Sequence, residues 1–316
     1  MNTPTRILIS GIVVTGAILL VGSVSAQVPP DLHEKVKSLG RGMDPRPTAA
    51  LYAPLLASQS YQGVRVSRDL SYGSSDSQRL DIFEPEAAGT SSRPVVIFVH
   101  GGGFVAGDKH RADSPFYDNV MLWAVNQGLI GVNVNHRLAP QNQWPSGAED
   151  LGLAVGWIQE NIASHGGDPK RVFLLGHSTG AAHAASYVAQ PRFYRSGSVG
   201  LAGAIFMSAN IFDPGTADVS PSLKAYFGDD ASLYEGRSSV PGLLQSSLPL
   251  MVTSAEFDPV PFERQALQLQ TALCQRHRCP TFVRFAGHNH FSEAYSINSA
   301  DDAVSAAILA FIRATP

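Results

Sequence analysis

Two kinds of hydrophobic pattern divide the chain. Residues 64–72 and 79–83 alternate polar and apolar side chains, the period of strands with one wet face. Gly73-Ser74-Ser75-Asp76 lies between them and predicts an antiparallel turn. The pattern then changes to short, continuous apolar runs at 95–99, 129–134, 172–175, 204–207, 248–253 and 281–285. Runs of this length, rich in β-branched residues, fit strands buried on both faces. Helical stretches at roughly 112–127, 147–164, 179–189, 261–274 and 300–313 separate or follow them. Strands alternating with helices predict an α/β fold: a mostly parallel sheet of about eight strands, flanked by helices on both faces. Residues 31–60 read as one or two further helices, with Pro29-Pro30 before them and Pro45 and Pro47 between. In such sheets ligands bind beyond the carboxyl ends of the strands, so the loops there are where chemistry is expected.

The N-terminus reads differently. Arg6 precedes an apolar run over residues 7–24 that ends in Val24-Ser25-Ala26, the layout of a secretory signal peptide. Gly11, Gly16 and Gly22 dilute the run and argue against a retained membrane anchor. Cleavage is expected between Ala26 and Gln27, giving a periplasmic or secreted protein with no stable membrane association. The expected layout is a signal peptide at 1–26, an N-terminal helical segment at 27–62 and one α/β domain at 63–316. A formal charge of -3 and the lack of a polybasic stretch leave no footprint for nucleic acid. The two cysteines, Cys274 and Cys279, are separated by four residues. An exported chain allows them to form a disulfide on a helix-to-strand turn. Two free thiols are the alternative; a zinc pair with His277 lacks a second ligand pair.

Three strand-end loops carry candidate chemistry. After the strand at 171–175 comes Gly176-His177-Ser178-Thr179-Gly180, then a helix of small residues. G-x-S-x-G between strand and helix puts a serine on a tight turn, where its hydroxyl is presented and amide groups converge. The bland reading is a serine capping a helix. His100-Gly101-Gly102-Gly103-Phe104 follows the strand at 95–99. Its glycines can turn N–H groups toward a developing oxyanion; Gly102, Gly103 and Thr179 are the expected donors. No G-K-[ST] follows, so a phosphate loop is a poorer reading, and His100 is expected to orient the loop. Such folds order their triad Ser, then acid, then His. Asp258 follows the strand at 248–253 and is the preferred acid, with Glu256 its rival; Asp213, Asp229 and Asp230 lie in loops before that strand. His288 and His290 follow the last strand and both are candidate bases. Their i, i+2 spacing has no matching ligand set for a metal, and neither metal nor cofactor is required.

Taken together, these motifs resemble bacterial esterases of the hormone-sensitive-lipase-like group within the α/β-hydrolase superfamily. The resemblance rests on the glycine loop at 100–104 and on Asn135-His136-Arg137-Leu138-Ala139-Pro140 with Trp144-Pro145 and Glu149-Asp150. It includes Gly167-Asp168-Pro169-Lys170-Arg171 before the elbow and Ala255-Glu256-Phe257-Asp258-Pro259. It spans roughly residues 45–314. The elbow departs from the group's usual G-D-S-A-G. The ending His288-Asn289-His290-Phe291 is similar to arylformamidase-like and feruloyl-esterase-like hydrolases, whose base precedes the Phe. Either alignment implies His290 as the base. The resemblance implies a small-molecule ester as substrate, cleaved through an acyl-enzyme, with short to medium or aryl groups. Amide or formamide cleavage by the same residues is the alternative, and a binding protein on this scaffold a further one. It also implies that residues 27–62, joined by 213–247, form a cap. Phe104, Trp144 and Phe212 are candidate pocket residues, with Tyr187 and Phe257 as further aromatics near strand ends. Arg137 and Asp150 read as a structural ion pair. The oligomeric state is not legible.

Overall fold

A computed structural model describes residues 30–56, 60–87, 92–195 and 197–316; the expected signal peptide lies outside them. The chain opens with α1 (Pro30–Leu39) and α2 (Pro45–Leu56), then β1 (Val64–Ser71), β2 (Arg79–Pro85) and β3 (Arg93–Val99). It continues through α3 (Asp118–Asn126), β4 (Ile130–Val134), α4 (Ser146–Asn161), β5 (Gly167–His177), α5 (Thr179–Ala189) and β6 (Gly203–Met207). Two short helices, α6 (Pro221–Phe227) and α7 (Val240–Leu243), precede β7 (Leu250–Phe257) and α8 (Val260–Cys274). The last elements are β8 (Thr281–Asn289), α9 (Ser292–Tyr295) and α10 (Ala303–Ala314).

One sheet holds all eight strands in the order β1-β2-β4-β3-β5-β6-β7-β8. β1 and β2 pair antiparallel, as does β2 with β4, and every later pairing is parallel. The period of two in a strand sends alternate residues to opposite faces. Val95, Ile97 and Val99 therefore join one buried core with α4, α5 and Leu269 of α8, while Val96 and Phe98 join another with α3 and α10. Two buried faces explain why these strands read as unbroken apolar runs.

The differences from expectation are local. The helix expected from residue 112 starts only at Asp118; Pro115 disfavours helical geometry at Ser114 and leaves 108–117 as a loop. β5 begins at Gly167, so the Gly-Asp-Pro-Lys-Arg segment is part of the strand. β8 runs four residues further than expected, to Asn289, because Gly287, His288 and Asn289 are buried. Cys274 and Cys279 are bonded across the turn between α8 and β8.

Candidate active site

The register brings three strand ends together. Val99 at the end of β3 pairs with Gly176 of β5, and His177 pairs with Met207 at the end of β6. Ser178 occupies the single position between β5 and α5, with φ 56° and ψ −123°. A non-glycine residue there costs roughly 1–3 kcal/mol and persists only where its surroundings impose it. Here its N–H donates to the Met207 carbonyl at 2.9 Å, and its own carbonyl accepts the Ala181 N–H at 3.0 Å. Gly180 lets the start of α5 press against β3: a Cβ at that position would collide with the Val99 and His100 carbonyls.

Nε2 of His290 lies 2.9 Å from Ser178 Oγ, and its Nδ1 lies 3.0 Å from Asp258 Oδ1. The other Asp258 oxygen accepts the Ser208 hydroxyl at 2.7 Å and the Ala255 N–H at 2.8 Å. Arg41, just beyond α1, donates to the Asp258 carbonyl. Asp258 and His290 are buried. Hydroxyl, imidazole and carboxylate in this sequence can move a proton from the serine while the acid fixes the imidazole tautomer. His177, next to the serine, meets the His290 carbonyl with Nε2 at 2.8 Å. Burial, then the neighbouring His290, push its pKa down to about 3, so it is neutral and its Nε2–H donates.

The rival residues lie elsewhere. Glu256 accepts the Gly287 N–H at 2.8 Å. His288 is buried against Ser292 Oγ at 3.1 Å and Asp301 at 3.6 Å. It is not among the residues that line the cavity with Ser178 and His290.

Gly101, Gly102 and Gly103 lie beside the serine; a Cβ on Gly101 would come within 2.7 Å of Ser178 Cβ. Gly102 has φ 133° and would drive a Cβ into the Ala106 carbonyl, so the loop needs glycine there. The amides of Gly102 and Gly103 have no acceptor among the described residues, and Thr179 opens α5, where N–H groups are free. Nδ1 of His100 is 2.7 Å from the Gly101 carbonyl. Burial, then His136, hold its pKa down at about 3, and a neutral ring has one N–H to give. Asn135 fastens the loop's far side by accepting the Lys109 N–H at 2.6 Å.

These groups floor a cavity of about 580 Å³. Phe116, Tyr117, Phe291 and Tyr295 form its aromatic wall, while Met43, Pro45, Arg46 and Ala49 bring the N-terminal helices to it. A larger surface cleft of about 760 Å³, lined by Arg137, Glu149, Arg192 and Arg195, contains neither Ser178 nor His290.

The expected pocket residues are corrected. Phe104, Trp144 and Phe212 do not line the cavity. The 213–247 segment folds over Phe104, which stacks on Tyr226 at 4.5 Å within a small core of Leu223, Phe227 and Tyr234. Trp144 packs against that same core and donates Nε1–H to Ser186. Phe212 packs on Phe206, and its main-chain N–H donates to Gln265. Tyr187 donates to the Val199 carbonyl, and Phe257 packs against the second main core. Arg137 and Asp150 do pair, at 2.7 Å.

Nothing in the sequence pattern singled out Phe116, Tyr117 and Tyr295, and Phe291 stood out only as part of the terminal motif, because aromatics near strand ends read first as core. Among the described residues, no group of three His, Cys, Asp or Glu is arranged to hold a metal ion. No helix among them is long and apolar enough to cross a membrane.

Comparison with known proteins adds to this geometry. Residues 48–226 match the model of the carboxylesterase family. Esterase B1 of Culex pipiens is 36% identical over 121 residues, covering 35% of this chain and 22% of its own length. Esterase LipQ of Mycobacterium tuberculosis is 28% identical over 225 residues, covering 65% of this chain and 52% of its own. The chain thus spans about half, or less, of the curated relatives it matches. The crystal structure of esterase B from Lactobacillus rhamnosis superimposes with a TM-score of 0.69 at 18% identity, covering 90% of this chain and 95% of that one. At that identity the likeness speaks for the fold, which is the α/β-hydrolase fold.

Proposed function

The chain belongs to the carboxylesterase family, and from that premise we propose that it is a serine hydrolase of small carboxylic esters. The observation that carries the reading is the proton path from Ser178 Oγ through His290 to Asp258, with contacts of 2.9 and 3.0 Å. His290 takes the serine proton as the oxygen attacks the ester carbonyl. The amides of Gly102, Gly103 and Thr179 receive the oxyanion. His290 then protonates the leaving alcohol, and water repeats the sequence on the acyl-enzyme.

The aromatic wall of Phe116, Tyr117, Phe291 and Tyr295 favours aryl or short to medium acyl esters. The relation to hormone-sensitive-lipase-like esterases, and the arylformamidase-like C-terminal motif, belong to this reading as a description of the motifs. So does the cap role of residues 27–62, supported by Met43, Pro45, Arg46 and Ala49 at the cavity. Export to the periplasm or medium is read from the N-terminal pattern and is supported by the Cys274–Cys279 bond.

The test is labelling by a fluorophosphonate probe beside turnover of an ester panel graded by acyl length and alcohol type. Wild type should label at Ser178 and turn over esters. Ser178→Ala should label nowhere and lose at least about 10³-fold in turnover while keeping its fold. Wild-type activity in that variant would sink the reading.

A further inference from the structure

A second carboxyl group lies behind the triad acid. Glu293 of α9 is fully buried. Its Oε2 accepts the Thr253 hydroxyl of β7 at 2.9 Å, and its Oε1 has no hydrogen-bond partner among the described residues. The Ser208 hydroxyl, after β6, donates to Asp258 Oδ2 at 2.7 Å and also faces Glu293. The hydroxyl that Asp258 holds thus lies beside a second buried carboxyl. No cation pairs with Glu293 among the described residues. The ionisable groups around it are Asp258 and, through Asp258, His290 and His177. The guanidinium at Asp258, that of Arg41, donates to the Asp258 carbonyl and pairs with Glu263.

Two adjacent carboxyls in a buried site do not both ionise near neutral pH, and the proton stays on the one with less support. Asp258 has three donors: the Ala255 N–H, Ser208 and the His290 ring. Glu293 has the Thr253 hydroxyl, and its second oxygen has no hydrogen-bond partner among the described residues. Burial first, then the charge of Asp258, raise its pKa well above the ordinary carboxyl value.

Resting on the esterase reading, we propose that Glu293 is a positioning residue of the triad: a carboxylic acid that keeps its proton and, through Ser208, holds Asp258 as the sole charge facing His290. While Glu293 is neutral, Asp258 alone sets the field at the imidazole. When Glu293 ionises in alkali, a second buried charge appears beside Asp258. The pair then repel across Ser208, and the array that aligns His290 loosens.

The experiment follows the rate of fluorophosphonate labelling of Ser178 across pH, for the full chain as wild type, Glu293→Gln and Ser208→Ala. Infrared spectra of ¹³C-glutamate-labelled wild type and Glu293→Gln accompany it. Gln is neutral and nearly isosteric, so that variant should label within about threefold of wild type at neutral pH, with its acid limb in place. It should also hold that rate into the alkaline range where wild type declines. Wild type should show a protonated-carboxyl band at neutral pH that Glu293→Gln lacks. Ser208→Ala should label roughly 10-fold slower or worse, the value of a hydrogen bond to a charged group.

An acid limb displaced to lower pH in Glu293→Gln would mean that a negative charge had been removed from beside His290, and would overturn the proposal. Absence of the band in wild type overturns it too. So do matching profiles on both limbs, which leave Glu293 as packing. If Glu293→Gln does not fold, the wild-type band decides: it should vanish in alkali in step with the labelling rate. A wild type that never labels removes the esterase reading instead, while the band still reports the proton on Glu293.

Discussion

The amide of Asn289 donates to Thr48 Oγ1 at 2.8 Å, joining residues 241 positions apart. The other end of the same side chain accepts the N–H groups of Phe291 and Ser292, at 3.2 and 3.0 Å. One buried amide therefore closes the turn that contains His290 and ties it to α2, whose Pro45, Arg46 and Ala49 line the cavity. Tyr52, one turn further along α2, donates to Asp301, which also faces His288. The N-terminal helices are thereby fastened to the loop that carries His290.

Removing the Thr48 hydroxyl should loosen that loop. Thr48→Val leaves the Asn289 amide buried and unpaired, a cost of about 1–3 kcal/mol. The expected result is a fall in kcat/KM of roughly 10-fold, since small misplacement of a base is expensive, with Thr48→Ser close to wild type. Steady-state kinetics on an aryl ester, beside urea unfolding, checks this. Equal activity in the two variants would show that α2 does not position the base.

The glycine loop at 100–104 offers a sharper substitution. Alanine at Gly102 must carry φ 133° and push the Ala106 carbonyl aside, so the loop moves. Loss of aligned donors should lower kcat by about 10²–10³-fold. The sheet is untouched, and the melting temperature should fall by only a few degrees, as about 1 kcal/mol would give. Calorimetry beside kinetics separates the two effects.

Fold and chemistry differed in how far they could be read along the chain. Five of the six continuous runs, those of β3 to β7, named inner strands because both faces of each are largely buried, whereas the sixth became β8, a half-exposed edge strand. Ser178 stood out because strand, elbow and small-residue helix are contiguous. Asp258 and His290 lie 32 residues apart, and each had a neighbour of the same chemistry. What separates them from Glu256 and His288 is direction, which motif spacing alone does not encode. The pocket was misread for a related reason. Phe104 adjoins the glycine loop in sequence, but α6 delivers Tyr226 and Phe227 onto it. Phe116 and Tyr295, which do line the cavity, meet at 3.9 Å across the ends of unconnected elements. Ser208 and Glu293 carried no signal, since their partners belong to other strands.

The Cys274–Cys279 bond closes a loop of five residues' separation. A loop this short restricts the unfolded chain modestly, by about 2 kcal/mol on the loop-closure estimate. The cavity residues come from other elements. Replacing both cysteines with serine should lower unfolding stability by up to about that amount and leave kcat/KM within about twofold. Denaturation with and without a reductant, alongside ester turnover, checks it. A large loss of activity on reduction would show that the turn between α8 and β8 reaches the site.

Acid should unfold the protein through its histidines. His100, His136, His177 and His183 are buried, and desolvation lowers each pKa, to about 3 for His100 and His177 and well below the ordinary value for His183. The unfolded chain takes up a proton at each site as pH drops through about 6.5, while the native chain does not. The unfolded state then binds more protons, so stability falls as pH falls from about 6.5, and it continues to fall toward pH 3 for His100 and His177. Each histidine contributes up to about 1.4 kcal/mol per pH unit in that window. Melting temperature should therefore be flat above neutral pH on this account and drop steeply between pH 6.5 and about 5. Among the described residues His183 has no hydrogen-bond partner on either ring nitrogen, and it packs edge-on to Phe104, His136 and Tyr226. His183→Phe should remove one of the four protons and flatten the acid slope by about a quarter. An unchanged slope in that variant would mean that His183 is protonated in the native core or that carboxylates govern acid unfolding.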